Sequence, residues 1–300
     1  MKGSNQHHRL LLMVFFFACL SSAAQNKSNR GKEFWLGYGY NSNFFPSTQG
    51  LSDPVNTQEL ALYISTEQAA VVTVTINGTS WLQTLNIPAN TVDASILIPK
   101  SGVNDARITS DGLSTKGIHI VSDVPVAAYA HMYNLMYSAA TMLMPVETYG
   151  YSYYSINYDQ SRGLSSLPPT SSNSYNIDKW YSWFYVVASE NNTRLLITPS
   201  DTTKNGWLPG QTYTVNLNKG ETYSVFGKAE YTSSIQGPAY KASKDMTGSR
   251  IVSISGADGN CHPIGLFSGS GGIHICKNDG GEGMQQQVFP TQAWGTRYLT

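Results

Sequence analysis

Two glutamates open the search for chemistry. Glu67 and Glu190 each sit in a short polar stretch, Thr66-Glu-Gln-Ala and Ser189-Glu-Asn-Asn, just before an apolar run. Glycoside hydrolysis needs two facing carboxylates about 5–10 Å apart, and a pair in matching positions is where that chemistry would be sought. A turn residue repeated in two related stretches explains the same pattern more simply, so neither is given a catalytic role. His119, His131, His262 and His274 show no H-E-x-x-H spacing and have no carboxylate at ligand spacing, so no metal is expected. His119 and His274 fall in strand-like stretches, His131 and His262 near turns. Phe267-Ser-Gly-Ser-Gly-Gly272 lacks both the G-x-S-x-G pattern and a following helix, so it reads as a glycine-rich turn. Asp279-Gly-Gly-Glu282 offers too few oxygens for a Ca²⁺ loop. No catalytic residue, metal or cofactor is expected.

Aromatic side chains are the better lead. Tyr149-Gly-Tyr-Ser-Tyr-Tyr154 with Tyr158, and Trp180-Tyr-Ser-Trp-Phe-Tyr185, are dense in Tyr and Trp. Tyr151, Tyr153, Tyr154, Trp180 and Trp183 are therefore candidate ligand contacts, because such rings stack on sugars or peptides. The alternative is packing between sheets or between two units. Cys261 and Cys276 are expected to form a disulfide in an oxidising compartment. Asn26, Asn77 and Asn191 head Asn-x-Ser/Thr sequons.

The elements that must carry these residues are strands. Helical periodicity is nearly absent. Glu59 to Ser65, Ala70 to Ile76, Ser95 to Ile98, Gly117 to Ser122, Val126 to Ala130, Ser182 to Ala188, Arg194 to Thr198, Thr212 to Leu217, Thr222 to Phe226, Arg250 to Ser255 and Ile264 to Ser268 all read as strands. Asp123-Val-Pro125 reads as a turn between two of them. Short strands at this spacing point to sandwiches or barrels rather than a parallel sheet. Charged residues make up only 13% of the chain, nineteen basic against nineteen acidic, which leaves no basic face for nucleic acid.

Four stretches recur in order. Thr66 to Thr75 lines up with Ser189 to Thr198, and Lys116 to Ser122 with Thr247 to Ser253. Asp123 to Ala130 lines up with the stretch around Pro263 to Ser268, and Met144 to Tyr153 with Phe289 to Tyr298. The expected fold is all-β, two diverged repeats of a β-sandwich-like antiparallel unit. Residues 1–24, with the apolar run Leu10 to Leu20 and Ser22-Ala-Ala24, read as a signal peptide; 25–158 form the first β unit, 159–178 a Ser/Pro-rich loop or linker, and 179–300 the second. Because the second copy's last match ends at Tyr298, the chain is expected to be a piece of a longer protein; a last strand closing back on the beginning is the other reading. No stretch of the mature chain is long and apolar enough to span a membrane.

The motifs, taken in series, carry a family likeness. Gly31-Lys-Glu-Phe-Trp-Leu-Gly37, Lys116 to Val126, Pro145-Val-Glu-Thr-Tyr-Gly-Tyr-Ser-Tyr-Tyr154, Ala188-Ser-Glu-Asn-Asn-Thr193, Leu217-Asn-Lys-Gly-Glu-Thr-Tyr223, Met246 to Ser253 and Gln286 to Gly295 resemble the N-terminal domain of the IgG Fc-binding protein family. The resemblance covers nearly the whole mature chain and implies an extracellular, non-enzymatic domain. It supplies no ligand-contact residues. The low cysteine content is similar to bacterial members, in which the domain belongs to large surface or adhesin-like proteins. The expected function is a secreted or cell-surface binding module for a protein or glycan ligand. A structural spacer in a long surface protein and a carbohydrate-active enzyme are the rival readings.

Overall fold

The computed structural model describes residues 28–44, 57–135, 138–158, 164–165, 181–229, 231–232, 244–273 and 282–295. The expected signal peptide, most of the Ser/Pro-rich stretch, Trp180, His274 and Cys276 lie outside them.

The described residues form strands joined by turns and four short 3-10 turns. In the first half these are β1 (Arg30–Leu36), β2 (Glu59–Thr66), β3 (Ala70–Ile76), β4 (Leu82–Ile87), β5 (Thr91–Leu97), β6 (Gly112–Ser114), β7 (Ile118–Tyr133) and β8 (Ser138–Leu143). The second half holds β9 (Ser152–Tyr154), β10 (Leu164–Ser165), β11 (Ser182–Ala188), β12 (Thr193–Thr198), β13 (Tyr213–Leu217), β14 (Thr222–Phe226), β15 (Tyr231–Thr232), β16 (Arg250–Ile254), β17 (Ile264–Ile273) and β18 (Glu282–Val288). The protein is all-β, and its three larger sheets are antiparallel. One sheet runs β4-β3-β7-β2-β5, with β1 and β8 also on β7. A second runs β18-β17-β11-β14-β6 and a third β13-β12-β16-β9.

The expected turn at Asp123-Val-Pro125 is absent: β7 is one strand of 16 residues. Asp123, Val124 and Pro125 nevertheless have no partner in any ladder. β3 pairs with β7 as far as Ser122, β2 takes over at Ala127, and β1 slips register between Gly31 and Glu33 at the same place. Proline lacks the N–H a ladder needs, so it is tolerated only at such an irregularity. Its turn signal marks a bend instead. Lys32 Nζ donates to the Asp123 carbonyl at 2.7 Å and the Val71 N–H to its carboxylate at 2.8 Å, fixing the bend.

The sheet containing β11 is a middle layer. Every residue of β11 and β17 is buried. Phe184, Val186 and Leu266 join Leu195, Ile197 and Ile251 in one core cluster. Trp183, Tyr185 and Phe267 join first-half residues such as Leu36, Tyr38 and Tyr40 in the other. Burial on both faces explains why Ser182 to Ala188 reads as a continuous apolar run rather than an alternating one. The expected glycine-rich turn at Phe267 to Gly272 lies inside β17. A Cβ at Gly269 would come within 2.2 Å of Trp183, so glycine there makes room for the indole. His131, expected near a turn, lies within β7.

The two halves interlock. β6 from the first half pairs with β14 at the edge of the middle sheet. The Gly37 N–H donates to the Tyr185 hydroxyl at 3.0 Å, and that hydroxyl donates back to the Gly37 carbonyl at 3.0 Å. A Cβ at Gly39 would stand 2.7 Å from Trp183, so the segment lies directly on the indole.

Candidate functional site

Of the aromatic candidates, Tyr153 and Trp183 are core residues. The Tyr153 hydroxyl donates to the Ile264 carbonyl at 2.6 Å and accepts from the Gly150 N–H at 2.8 Å, and burial pushes its pKa above that of a free phenol. Trp183 is stacked on Tyr185 at 5.8 Å within the middle layer. Tyr151 and Tyr154 are at the surface. Cys261 is exposed and free, and its expected disulfide partner Cys276 lies outside the described residues.

Around Tyr154 the chain is extended, and successive side chains point to opposite sides. Tyr153, Ser155 and Asn157 point inward. Ser155 Oγ donates to the Met246 carbonyl, and Asn157 Nδ2 donates to the carbonyls of Trp183 at 2.7 Å and Gly269 at 2.6 Å. These bonds hold the segment against the body. Tyr154, Ile156 and Tyr158 point outward, with 36%, 47% and 45% of their surface exposed. The Trp294 ring lies 5.9 Å from that of Tyr154 and is 47% exposed, and its Nε1 donates to the Phe289 carbonyl at 3.3 Å. Phe289 is exposed as well. The result is a strip of exposed large apolar side chains along this segment, joined at Tyr154 by Trp294. Such patches mark interaction surfaces.

The segment after β1 differs. Phe34, Leu36 and Tyr38 point inward, but the intervening Trp35 is only 3% exposed. The middle sheet covers that side at Gly37 and Gly39, and Lys219 from the second half reaches Glu33 beside Trp35 at 3.5 Å.

Sequence reading had Tyr158 in the aromatic cluster but missed Ile156, Phe289 and Trp294. The period-two spacing of Tyr154, Ile156 and Tyr158 was the available signal. It also missed an outward row on the first sheet, Tyr129, His131 and Tyr133 on β7 with Tyr63 on β2. His131 Nδ1 lies 3.4 Å from the Tyr63 hydroxyl and its Nε2 2.9 Å from Ser138 Oγ, and burial holds its pKa below the ordinary imidazole value. The alternation Tyr129-x-His131-x-Tyr133 could have flagged it.

The acidic candidates sit in separate ion pairs. Glu67 meets Arg30 at 2.7 Å, and that hydrogen bond lowers its pKa. Glu190 meets His262 at 3.0 Å, and His262 meets Asp258 at 2.8 Å. Partial burial pulls the His262 pKa down, but the bonds to Asp258 and Glu190 outweigh it and leave it raised. Among the described residues no group of three or more His, Cys, Asp or Glu is placed to hold a metal ion. Asp279 of the weighed Ca²⁺ loop is outside them, and Glu282 accepts from the Ser138 N–H at 3.0 Å.

A family model described as IgGFc binding protein matches residues 139–300, which include the whole exposed strip. No curated protein and no solved structure matches the chain.

Proposed function

The chain belongs to the IgGFc binding protein family, and on that premise we propose that it is an extracellular, non-catalytic module that binds a protein ligand through the strip of Tyr154, Ile156, Tyr158, Phe289 and Trp294. The observation that carries this reading is the exposure of these large apolar side chains on a segment whose inward residues are pinned by hydrogen bonds. Ordered aromatic side chains give contact area at low entropic cost. A glycan ligand would use the same rings by stacking. A spacer has no need of such a strip.

The test is binding of the purified chain to immobilised IgG Fc, mucin and polysaccharides, repeated with Tyr154→Ala/Trp294→Ala. Saturable binding to one class, weakened at least about tenfold in the variant, is the expected result for central aromatic contacts. Binding that survives the double substitution would move the site elsewhere.

The same proposal includes a duplication, with the bounds read from the sequence, 25–158 and 179–300, moved so that the second unit begins near Gly150, because β9 pairs with β16. Its support is a shared pairing scheme. β2 pairs with β5 and β7, β3 with β4 and β7, and β7 with β8 and β1. β11 pairs with β14 and β17, β12 with β13 and β16, β17 with β18, and β16 with β9. Two close contacts add to it. A Cβ at Gly31 would stand 2.2 Å from Pro145 Cβ, and one at Gly150 would stand 2.4 Å from Pro290 Cβ. Gly31 faces Val126 as Gly150 faces Ile264.

A further inference from the structure

The exposed strip and the outward row on the first sheet are the two unmatched sides of one interface, and we infer that copies of this chain associate head to tail by joining them. This rests on the duplication reading and names the partner of the strip.

The residue correspondences come from the ladders. Leu143 pairs with Ala128, which pairs with Ile64; Val288 pairs with Leu266, which pairs with Val186. Tyr63 therefore corresponds to Tyr185, Tyr129 to Phe267, and Ala61 to Trp183. In the second half, Tyr185, Phe267 and Trp183 make the face that the first half covers. In the first half, the corresponding face carries Tyr63, Tyr129 and Ala61; Tyr129 is exposed and Tyr63 partly so, while Ala61 is buried between its neighbours.

The covering side corresponds in the same way. Counted from Gly31 and Gly150, Trp35, Gly37 and Gly39 match Tyr154, Ile156 and Tyr158. Gly37 and Gly39 lie under the middle sheet and Trp35 is buried against His119, whereas Tyr154, Ile156 and Tyr158 are exposed. Tyr149 makes the same comparison with Trp294. Its hydroxyl donates to the Trp35 carbonyl at 3.0 Å, and a Cβ at Gly265 would meet its ring at 2.8 Å. Trp294 lies beside Tyr154, the counterpart of Trp35, with no such cover.

The two surfaces are different patches of one molecule, so the contact is heterologous: a pair still leaves one strip and one row open, and further copies add head to tail into a ring or an open array.

Sedimentation of the mature chain, from micromolar to about 1 mM, the weak end of the usual affinity scale, tests this. Wild type is expected to grow past two copies as concentration rises. Trp294→Asp spoils only the strip and Tyr129→Asp only the row, so each alone is expected to stay monomeric. Both positions are exposed, and circular dichroism verifies that each variant folds. An equimolar mixture of the two keeps one good strip and one good row, and is expected to form pairs and nothing larger. A wild type that remains monomeric, a variant that still associates, or a mixture that forms no pairs overturns the inference. A monomeric wild type would leave the strip for another ligand or for a further unit of a longer chain. The duplication is tested apart from this by Gly31→Val and Gly150→Val: matched destabilisation with a monomeric wild type would sink the docking and keep the duplication.

Discussion

β7 crosses the first half as one strand, whereas at the matching place the second half breaks into β16 and β17 with the loop Ser255–Pro263 between them. In the first half Asp123 to Pro125 stay within β7 without ladder partners, and the strand passes from β3 to β2 in one sheet. In the second, two sheets face each other and the break carries its own hydrogen bonds: the Gly256 N–H donates to the Asn260 carbonyl at 2.8 Å, and His262 ties the loop to Glu190. The pairing scheme survives either way. Ladder partners on both sides of the crossing define the architecture, and the crossing itself is free to change.

The deepest contrast lies between the middle sheet and the outer face of the first sheet. Trp183→Ala is expected to cost about 3–5 kcal/mol by denaturant unfolding, because it empties a fully enclosed site. Tyr63→Ala, at the position matching Tyr185 but half exposed, should cost far less. Equal losses would mean that the outer face is as enclosed as the middle layer. Next, Gly31→Val and Gly150→Val are each expected to cost about 1–3 kcal/mol, since the new side chain meets a proline ring. A loss at one site alone would break the parallel between the halves. Pro125→Ala should cost less than about 1 kcal/mol, through the looser unfolded chain only, because no ladder bond is at stake.

The smallest expected effects are on pH, and they have opposite signs in the two halves. The His262 pKa is raised in the folded state, so its contribution is full below its ordinary value of 6.5 and is lost as pH rises through the folded value. Burial dominates at His119, whose pKa is lowered despite the hydrogen bond to Glu33 at 2.9 Å. That contribution is present above 6.5 and is lost as pH falls through the folded value. Unfolding of His262→Gln and His119→Gln between about pH 5 and 8, the range in which His titrates, should therefore change slope in opposite directions. Slopes that change in the same direction would show that one of the two environments has been misread.

Much of the fold was legible in the sequence. Ser182 to Ala188 and Thr222 to Phe226 are strands to the residue, because apolar runs bounded by turn residues are local signals. Pro125 misled because its local preference is the same for a turn and for an unpaired bend. The glycines of β17 misled because the space they leave is filled by Trp183, from another strand. The site was half legible. Aromatic density pointed to residues 149–154, but which of Tyr153 and Tyr154 faces water depends on the pairing with β16, a partner nearly a hundred residues away. Trp183 needed longer-range knowledge still, since what buries it is the segment around Gly39.

β6 has a consequence for how the molecule can come apart. A three-residue strand from between β5 and β7 completes the edge of a sheet built otherwise from β11, β14, β17 and β18. Peeling the second half away would unzip that edge and bare Trp183, Tyr185 and Phe267 in one step. The two halves are therefore expected to be indivisible: a gene cut between them would yield two sticky pieces rather than two small proteins.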